Sequence, residues 1–430
     1  MPRDGSGIYT RPPGTNAVAD TTIESTKYNA NVADVEADLN APRPIIAGGT
    51  GANNAVDAAN NLGVVTGKGA QTFTEAEKAV ARNNIAAAPF DALAYNGMQV
   101  NGSMEVSQEK GLASTGSNSY IMDVWQLYKG GSMVVAASQG TGVSNSFPYH
   151  LSVATTTAQP SLASGDGVLV QHSIEGWRTI RCAWSNADAR PVTIAFWSLH
   201  SRTGVYSVTI RNVAFNRCYA TTYTHNVSNG AQYNTITIPG DTTGTWDKSN
   251  GIGMNILFAI ATGATNVAPS ANAWLAGNYQ AAPGQVNGVD STANVFRIYG
   301  VVVLPGTQAP TAAQSPLIMR PYDQELVMCQ RYYQEVGGAF AGRADSASSA
   351  QGIVGLSTPM RAPPTVSLTS TVKGTNGLLV PGVGVLNVTA VVGSHMTTDH
   401  VLINLTTTPV TAGNTVVGYG NYWCKADARL

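Results

Sequence analysis

Along most of this chain apolar and polar residues alternate one by one, in short runs bounded by clusters of Gly, Asn, Asp, Ser and Pro. A period of two puts successive side chains on opposite faces of a pleated strand, so each run predicts a strand buried on one face. Between residues 98 and 310 the runs fall at 132–138, 168–173, 178–184, 191–199, 205–211, 233–238, 254–261 and 295–304. Many short strands separated by turn clusters predict a β-sandwich of the jelly-roll kind. Four further runs, at 365–372, 383–392, 401–407 and 415–423, predict a second, smaller β-region. One stretch departs from alternation. Tyr322, Leu326, Cys329 and Tyr333 recur at i, i+4, i+7 and i+11, the stripe of an amphipathic helix, with Pro321 in its first turn and Asp323 and Glu325 at its positive end. Such a stripe either covers a neighbouring β-domain or packs against copies of itself around a three-fold axis.

The N-terminal region carries other patterns. Residues 1–43 hold no core: Ile8, Tyr9, Arg11, Pro12 and Pro13 read as an extended, proline-stiffened arm leading into a helix at 31–39. Leu39, Leu62 and Ile85 then recur every 23 residues, and Ala58-Ala-Asn-Asn-Leu62 returns almost unchanged as Ala81-Arg-Asn-Asn-Ile85. A repeat this small cannot bury its own apolar face, so it must stack on neighbours or on other chains.

Composition narrows the function classes. Charged residues make up 11% of the chain, far below the roughly 25% of an average soluble protein, while the hydrophobic share is near normal. That combination fits β-surfaces decorated with neutral Thr, Ser, Asn and Gln, not disorder. A net charge of −1 gives no reason to expect nucleic acid, and no apolar run is long enough for membrane insertion. The start of the sequence lacks an apolar signal core, which argues against export through a signal peptide. The four cysteines show no metal-site spacing, and no cofactor motif is present; Lys68, followed by Gly69, does not complete a phosphate loop. Cys182 and Cys218, both placed in strands of the sandwich, are expected to approach one another.

The search for chemistry favours binding over catalysis. No nucleophile elbow or metalloprotease motif occurs, and no two of Asp123, Glu175, Asp188, Asp241 and Asp247 can be set from sequence at the separation glycoside hydrolysis needs. Sugars are held by aromatic rings and by Asn, Asp and Gln hydrogen bonds. Trp246 with Asp247 and Asn250, and Trp274 with Asn278 and Tyr279, offer that chemistry in loops, while Trp184 and Trp197 read as core residues of strands. Tyr419, Tyr422 and Trp423 offer it near the C-terminus. Nearly uncharged, Asn-rich loops suit neutral sugars.

Three motifs carry a resemblance. The E-L-x-x-C-x-R-Y-Y of Glu325 to Tyr333, the opening D-G-S-G-x-Y-x-R-P-P-G-T, and G-G-T-G-A-x-x-A…A-x-x-N-L-G from Gly48 to Gly63 resemble bacteriophage and prophage tail-fibre proteins. The second copy of the last motif departs from it, with Ala86 in place of the final Gly. The paired runs 192–199 and 204–210 resemble strands of carbohydrate-binding-module jelly rolls. The resemblance implies a mainly β, fibrous homotrimer on the virion, made in the bacterial cytoplasm. Its parts are an attachment arm (1–43), a short-helix repeat shaft (44–97), a jelly-roll sandwich (98–310), a helical linker (311–338) and a β-rich tip (339–430). It further implies docking of Ile8, Tyr9, Arg11, Pro12 and Pro13 to tail, baseplate or collar proteins, and trimer packing by Leu39, Leu62, Ile85, Leu326, Cys329 and Tyr333. The expected function is recognition of a host-surface polysaccharide or lipopolysaccharide, without enzymatic activity. A purely structural collar or neck fibre, or decoration protein, is the alternative; a polysaccharide-degrading tailspike is the second.

Overall fold

Most of the alternating runs are strands. The computed structural model describes residues 10, 13, 22, 24–41, 49, 50, 52, 55–62, 97–144, 146–336, 341–368, 377–380, 384–407, 412–419 and 424–430. The chain divides into two units, Met1–Ala92 and Leu93–Leu430.

The described parts of the first unit include helices α1 (Ser25–Asn40) and α2 (Ala55–Asn61). α1 contains the helix expected at 31–39. Its Tyr28, Val32, Val35 and Leu39 stand at spacings of four, three and four residues, and all are exposed, Leu39 at 75%. Leu62, just past α2, is 50% exposed. Ile85, Ile8, Tyr9, Arg11 and Pro12 lie outside the described residues, and Pro13 is an exposed turn residue.

In the second unit twelve strands build two sheets: β1 (Ser119–Met122), β2 (Trp125–Gly130), β3 (Val134–Thr141), β4 (Tyr149–Thr157), β5 (Gly167–Glu175), β6 (Val192–Ser198), β7 (Gly204–Arg211), β8 (Arg217–His225), β9 (Gln232–Ile238), β10 (Ile252–Thr262), β11 (Trp274–Ala276) and β12 (Val295–Pro305). The orders are β1-β2-β5-β10-β7-β8-β11 and β3-β4-β12-β6-β9, all antiparallel. The chain crosses repeatedly between the sheets, and their inner faces share one core that includes Trp125, Leu151, Phe196, Val208, Phe258 and Ile298. β10 and β12, inside their sheets, are buried along nearly their whole length. Residues 263–290 pack on β7 and β8: Thr209 donates to Gln280 O at 3.0 Å, and Ala268 and Ala282 pack on Ala220.

One expectation for this region fails. Residues 178–184 are not a strand but a tight turn, made of helix α3 (Gly176–Thr179) and a 3-10 turn at Ile180–Cys182. Backbone bonds from Gly176 N to Gly251 O and Trp177 N to Ser249 O hold its start, and Ala183, at φ 56°, ends it. Cys182 and Cys218 do not pair; all four cysteines are free and buried, and Cys182 lies under Met98, 3.6 Å from its sulfur.

The stripe 322–333 forms helix α4 (Tyr322–Gln330), and its buried residues cover the sandwich of their own chain. Cys329 and Tyr333 are 0% and 1% exposed within one chain, so neither can meet another copy. Cys329 joins the sandwich core, with Leu326 packed partly buried against it, and Tyr333 already belongs to a strand. The motif residues are anchors. Glu325 accepts from Asn101 N at 2.6 Å and faces Arg320 at 3.4 Å. Arg331 and Tyr332 both donate to Glu175, at 2.6 Å and 2.9 Å.

The remaining strands are β13 (Tyr333–Val336), β14 (Ala341–Ser346), β15 (Ser349–Gly355), β16 (Thr365–Leu368), β17 (Gly377–Val380), β18 (Gly384–Met396), β19 (His400–Thr407), β20 (Thr415–Tyr419) and β21 (Cys424–Asp427). Six close a barrel in the order β14-β15-β19-β18-β17-β20; β13, β21 and β16 form a separate sheet with β21 in the middle. The C-terminus then returns to the sandwich. The Arg429 guanidinium bonds Glu109 at 2.6 Å and lies over the rings of Tyr120 and Tyr333, 4.0 Å and 4.4 Å from their centroids.

Candidate functional site

The loop tryptophans are packing residues. Trp246 is 6% exposed, donates its indole N–H to Asp241 at 2.9 Å, and meets Trp184 edge-on at 4.6 Å. Trp274 completes the cluster, 5.3 Å from Trp184 and 5.6 Å from Trp246, with its N–H on Pro239 O. Burial would raise the Asp241 carboxyl, but hydrogen bonds from Arg217 and Trp246 outweigh it and hold the group below the usual carboxylate range. Aromatic edge-to-face pairs and a paired buried charge are what a core uses, and they leave the Trp246 ring no open face for a sugar. Asp247 caps the turn at Ser249, and Asn250 donates to Arg361 O, tying the sandwich to the C-terminal region. Asn278 accepts from Arg211 at 2.7 Å, and Tyr279 packs beside the alanine cluster. Tyr419 ends β20, in register with Gly377; Tyr422 and Trp423 lie outside the described residues.

The acidic residues are occupied as well. Glu175 holds Arg331 and Tyr332, Asp241 holds Arg217, Asp247 caps its turn, and Asp188 is exposed in a turn. Asp123 accepts from Gln108 N at 2.8 Å, yet burial wins and pushes its carboxyl up to about 6. Among the described residues no group of three His, Cys, Asp or Glu is arranged to hold a metal, and no helix is long and apolar enough to cross a membrane.

The open chemistry lies on the outer face of the five-stranded sheet. Alternation sends Ala137, Leu151, Val153, Phe296 and Ile298 into the core and turns Ser138, Gly140, His150, Ser152 and Arg297 outward. Register sets them side by side: Ser138 opposite Ser152, Ser152 opposite Arg297, and Gly140 opposite His150. Together with Thr141, Gly142, Leu199 and Asn229 they line an open groove of about 520 Å³. The bare Cα of Gly140 makes room for the His150 ring, since a Cβ there would stand 2.4 Å from it. Further along the same sheet face, Trp197, Tyr233 and Tyr299 pack together, and the segment around Pro310 and Ser315 covers them, accepting hydrogen bonds from Tyr233 Oη and Trp197 Nε1. Trp197 is therefore a half-buried outer-face residue, while Trp184 is core.

The groove carries one cation, Arg297. His150 is held neutral, its imidazole lowered to about 4 by burial and then by the charge of Arg297, and its Nδ1 is buried without a hydrogen-bond partner among the described residues. Arg297 reaches only Leu199 O and Asn229 Oδ1, each at 3.4 Å. Sequence reading missed this site because its residues are scattered over three strands and Asn229, and only cross-strand register assembles them.

Two other histidines are structural, and they predict a pH response. His172 Nε2 accepts from Val100 N while Nδ1 faces Val124 O; His200 Nδ1 accepts from Arg297 N while Nε2 meets Tyr223 Oη at 2.8 Å. Protonation would cost each ring its acceptor, and burial depresses both, His172 to about 4. A group depressed in the folded state stabilises it above the unfolded pKa near 6.5, and that stability is lost as pH falls toward 4. Asp123 and Glu105 work oppositely, two carboxyls raised by burial against the four imidazoles of His150, His172, His200 and His225 that burial lowers. The midpoint of thermal unfolding is therefore expected to fall between pH 6.5 and 4; a midpoint that holds or rises would contradict this.

No family model matches the chain, and no curated protein is similar to it. Solved structures that align with it include the enzymatically active domain of tailspike protein 4 of bacteriophage CBA120, at 13% identity over 45% of this chain and 21% of that one, with a TM-score of 0.25. The chain thus spans about a fifth of that tailspike domain. A CBM4 structure aligns at 13% identity over 48% of this chain and 97% of its own, with a TM-score of 0.26. The family 11 carbohydrate-binding module of a cellulosomal cellulase of Clostridium thermocellum aligns at 13% identity over 47% and 100%, with a TM-score of 0.24.

Proposed function

We propose that this chain is a bacteriophage virion fibre whose β-sandwich recognises a glycan on the host surface, without enzymatic activity. The observation that carries the reading is the groove on the outer face of the five-stranded sheet. It offers hydroxyl, amide and imidazole groups along a shallow, open surface, the chemistry that hydrogen-bonds sugar hydroxyls. Fibre assembly is supported by α1, whose uncovered Tyr28, Val32, Val35 and Leu39 follow the spacing of a coiled-coil seam. A homotrimer would bury that seam, and three copies of a weak site gain roughly 10²–10⁴ in avidity. The arm at 1–43 would dock the fibre to tail, baseplate or collar proteins, leaving the sandwich to face the host.

The test is binding of the purified full chain to susceptible cells before and after periodate oxidation of their surface glycans. Binding is expected to be lost on oxidation. It is also expected to fall at least tenfold in Ser138→Tyr, which fills the groove from an outward position and leaves the melting temperature in place. Binding that survives oxidation would overturn the glycan reading, and binding that ignores Ser138→Tyr would move the site elsewhere.

A further inference from the structure

The charge of the groove narrows the ligand further, and this step rests on the glycan reading above. Its lining holds one permanent cation, Arg297, and no acid. Three other arginines of the sandwich have carboxylates of their own, and the buried Arg211 is held by the amide oxygens of Asn278 and Gln171. Arg202 forks onto Asp290, Arg217 onto Asp241 and Arg331 onto Glu175. Arg297 has none: no carboxylate among the described residues pairs with it, and its Nε and Nη2 make no hydrogen bond among them. Withdrawal from water weakens its hold on its proton, with no opposing charge to restore it. A guanidinium placed in this way presents a planar fork of donors that fits the two oxygens of a carboxylate or phosphate.

We infer that the groove binds an acidic saccharide, with the sugar's anionic group on Arg297 and its hydroxyls on Ser138, Ser152 and Asn229. This departs from the neutral sugar that the composition of the loops suggests. A carboxylate would supply the counter-charge missing from the groove. The ring following it along the sheet would pass over the His150 ring, which lies on Gly140, and over Gly142, where no side chain rises from the floor. His150, neutral and lying over Gly140, can serve a hydroxyl as donor or acceptor without adding a second charge.

The experiment titrates the full chain, by calorimetry at low salt, with three probes. These are a hexauronate, the same oligosaccharide with its carboxyls reduced to primary alcohols, and a phosphate-substituted oligomannose. Wild type is compared with Arg297→Gln, Arg297→Lys and, as a control for surface charge, Arg343→Gln. The hexauronate is expected to bind at least tenfold more tightly than its reduced form. Arg297→Gln should remove that preference, Arg297→Lys should keep part of it, and Arg343→Gln should leave it intact. Preference for the phosphate probe, lost in Arg297→Gln, would identify phosphate as the source of the anion and support the same assignment. Equal binding of charged and reduced probes, with no effect of Arg297→Gln, would overturn the acidic ligand and leave glycan recognition standing. Failure of every probe, together with periodate-insensitive cell binding, would overturn both. Unchanged melting of Arg297→Gln checks the fold, as expected for a side chain whose only hydrogen bonds are long.

Discussion

Replacing Glu325 with alanine is expected to cost about 3–5 kcal/mol of stability, the range for breaking a buried ion pair from one side. Glu325 and Arg320 have side chains only 3% and 9% exposed. The same carboxylate accepts the backbone N–H of Asn101 at 2.6 Å, and Asn101 is a junction in its own right. Its side chain bonds Val106 and Asp123, and its carbonyl accepts the Trp125 indole N–H. Loss of the carboxylate removes the Glu325 charge from beside Arg320 and the acceptor from the buried Asn101 N–H, so two penalties add. Glu325→Gln keeps the shape and one acceptor oxygen, and should cost clearly less. Denaturant titration of both variants reads the difference. An alanine variant with a wild-type midpoint would show that α4 is held by apolar packing alone.

Deleting residues 424–430 is expected to have a larger effect, loss of cooperative folding in the C-terminal region. β21 lies between β13 and β16, so its removal leaves two strands without their partner. Cys424 and Ala426 are 1% and 0% exposed and leave the smaller core open. The deletion also takes away Arg429, whose guanidinium bridges Glu109 and stacks on Tyr120 and Tyr333, and the Leu430 carbonyl that accepts from Tyr120 Oη at 2.7 Å. Circular dichroism and limited proteolysis should show lost β-structure and cleavage beyond residue 336. A truncated chain that melts like wild type would contradict this role for the terminus.

The strands most legible in the sequence were those with strong apolar alternation or long apolar runs: β5, β6, β7, β9, β10 and β12 each lie close to their expected position. β4 and β8 were missed because Thr, Ser and His dilute the apolar signal in Tyr149–Thr157 and Arg217–His225. The helix at 322–330 was legible, but not what it packs on. An apolar stripe specifies that a face is buried and says nothing of whose chain buries it; here Glu325, Arg331 and Tyr332 bind it to its own sandwich. The same blindness placed Trp246 at a ligand site. A Trp in an Asn- and Asp-rich loop looks alike whether its ring stacks on sugar or on Trp184. Arg297 and His150 drew no notice because they stand on different strands, far apart in sequence, until register brings the strands together.

The most direct measurement is site-resolved. With the histidine rings isotopically labelled, addition of purified host-surface polysaccharide should shift the His150 ring resonances in a saturable way. The buried structural rings of His172 and His200, on the inner side of the sheets, should stay where they are. Movement of His150 alone, abolished by Ser138→Tyr, is the predicted result. Saturable binding of the polysaccharide that leaves His150 unmoved would place recognition outside the groove and contradict the account.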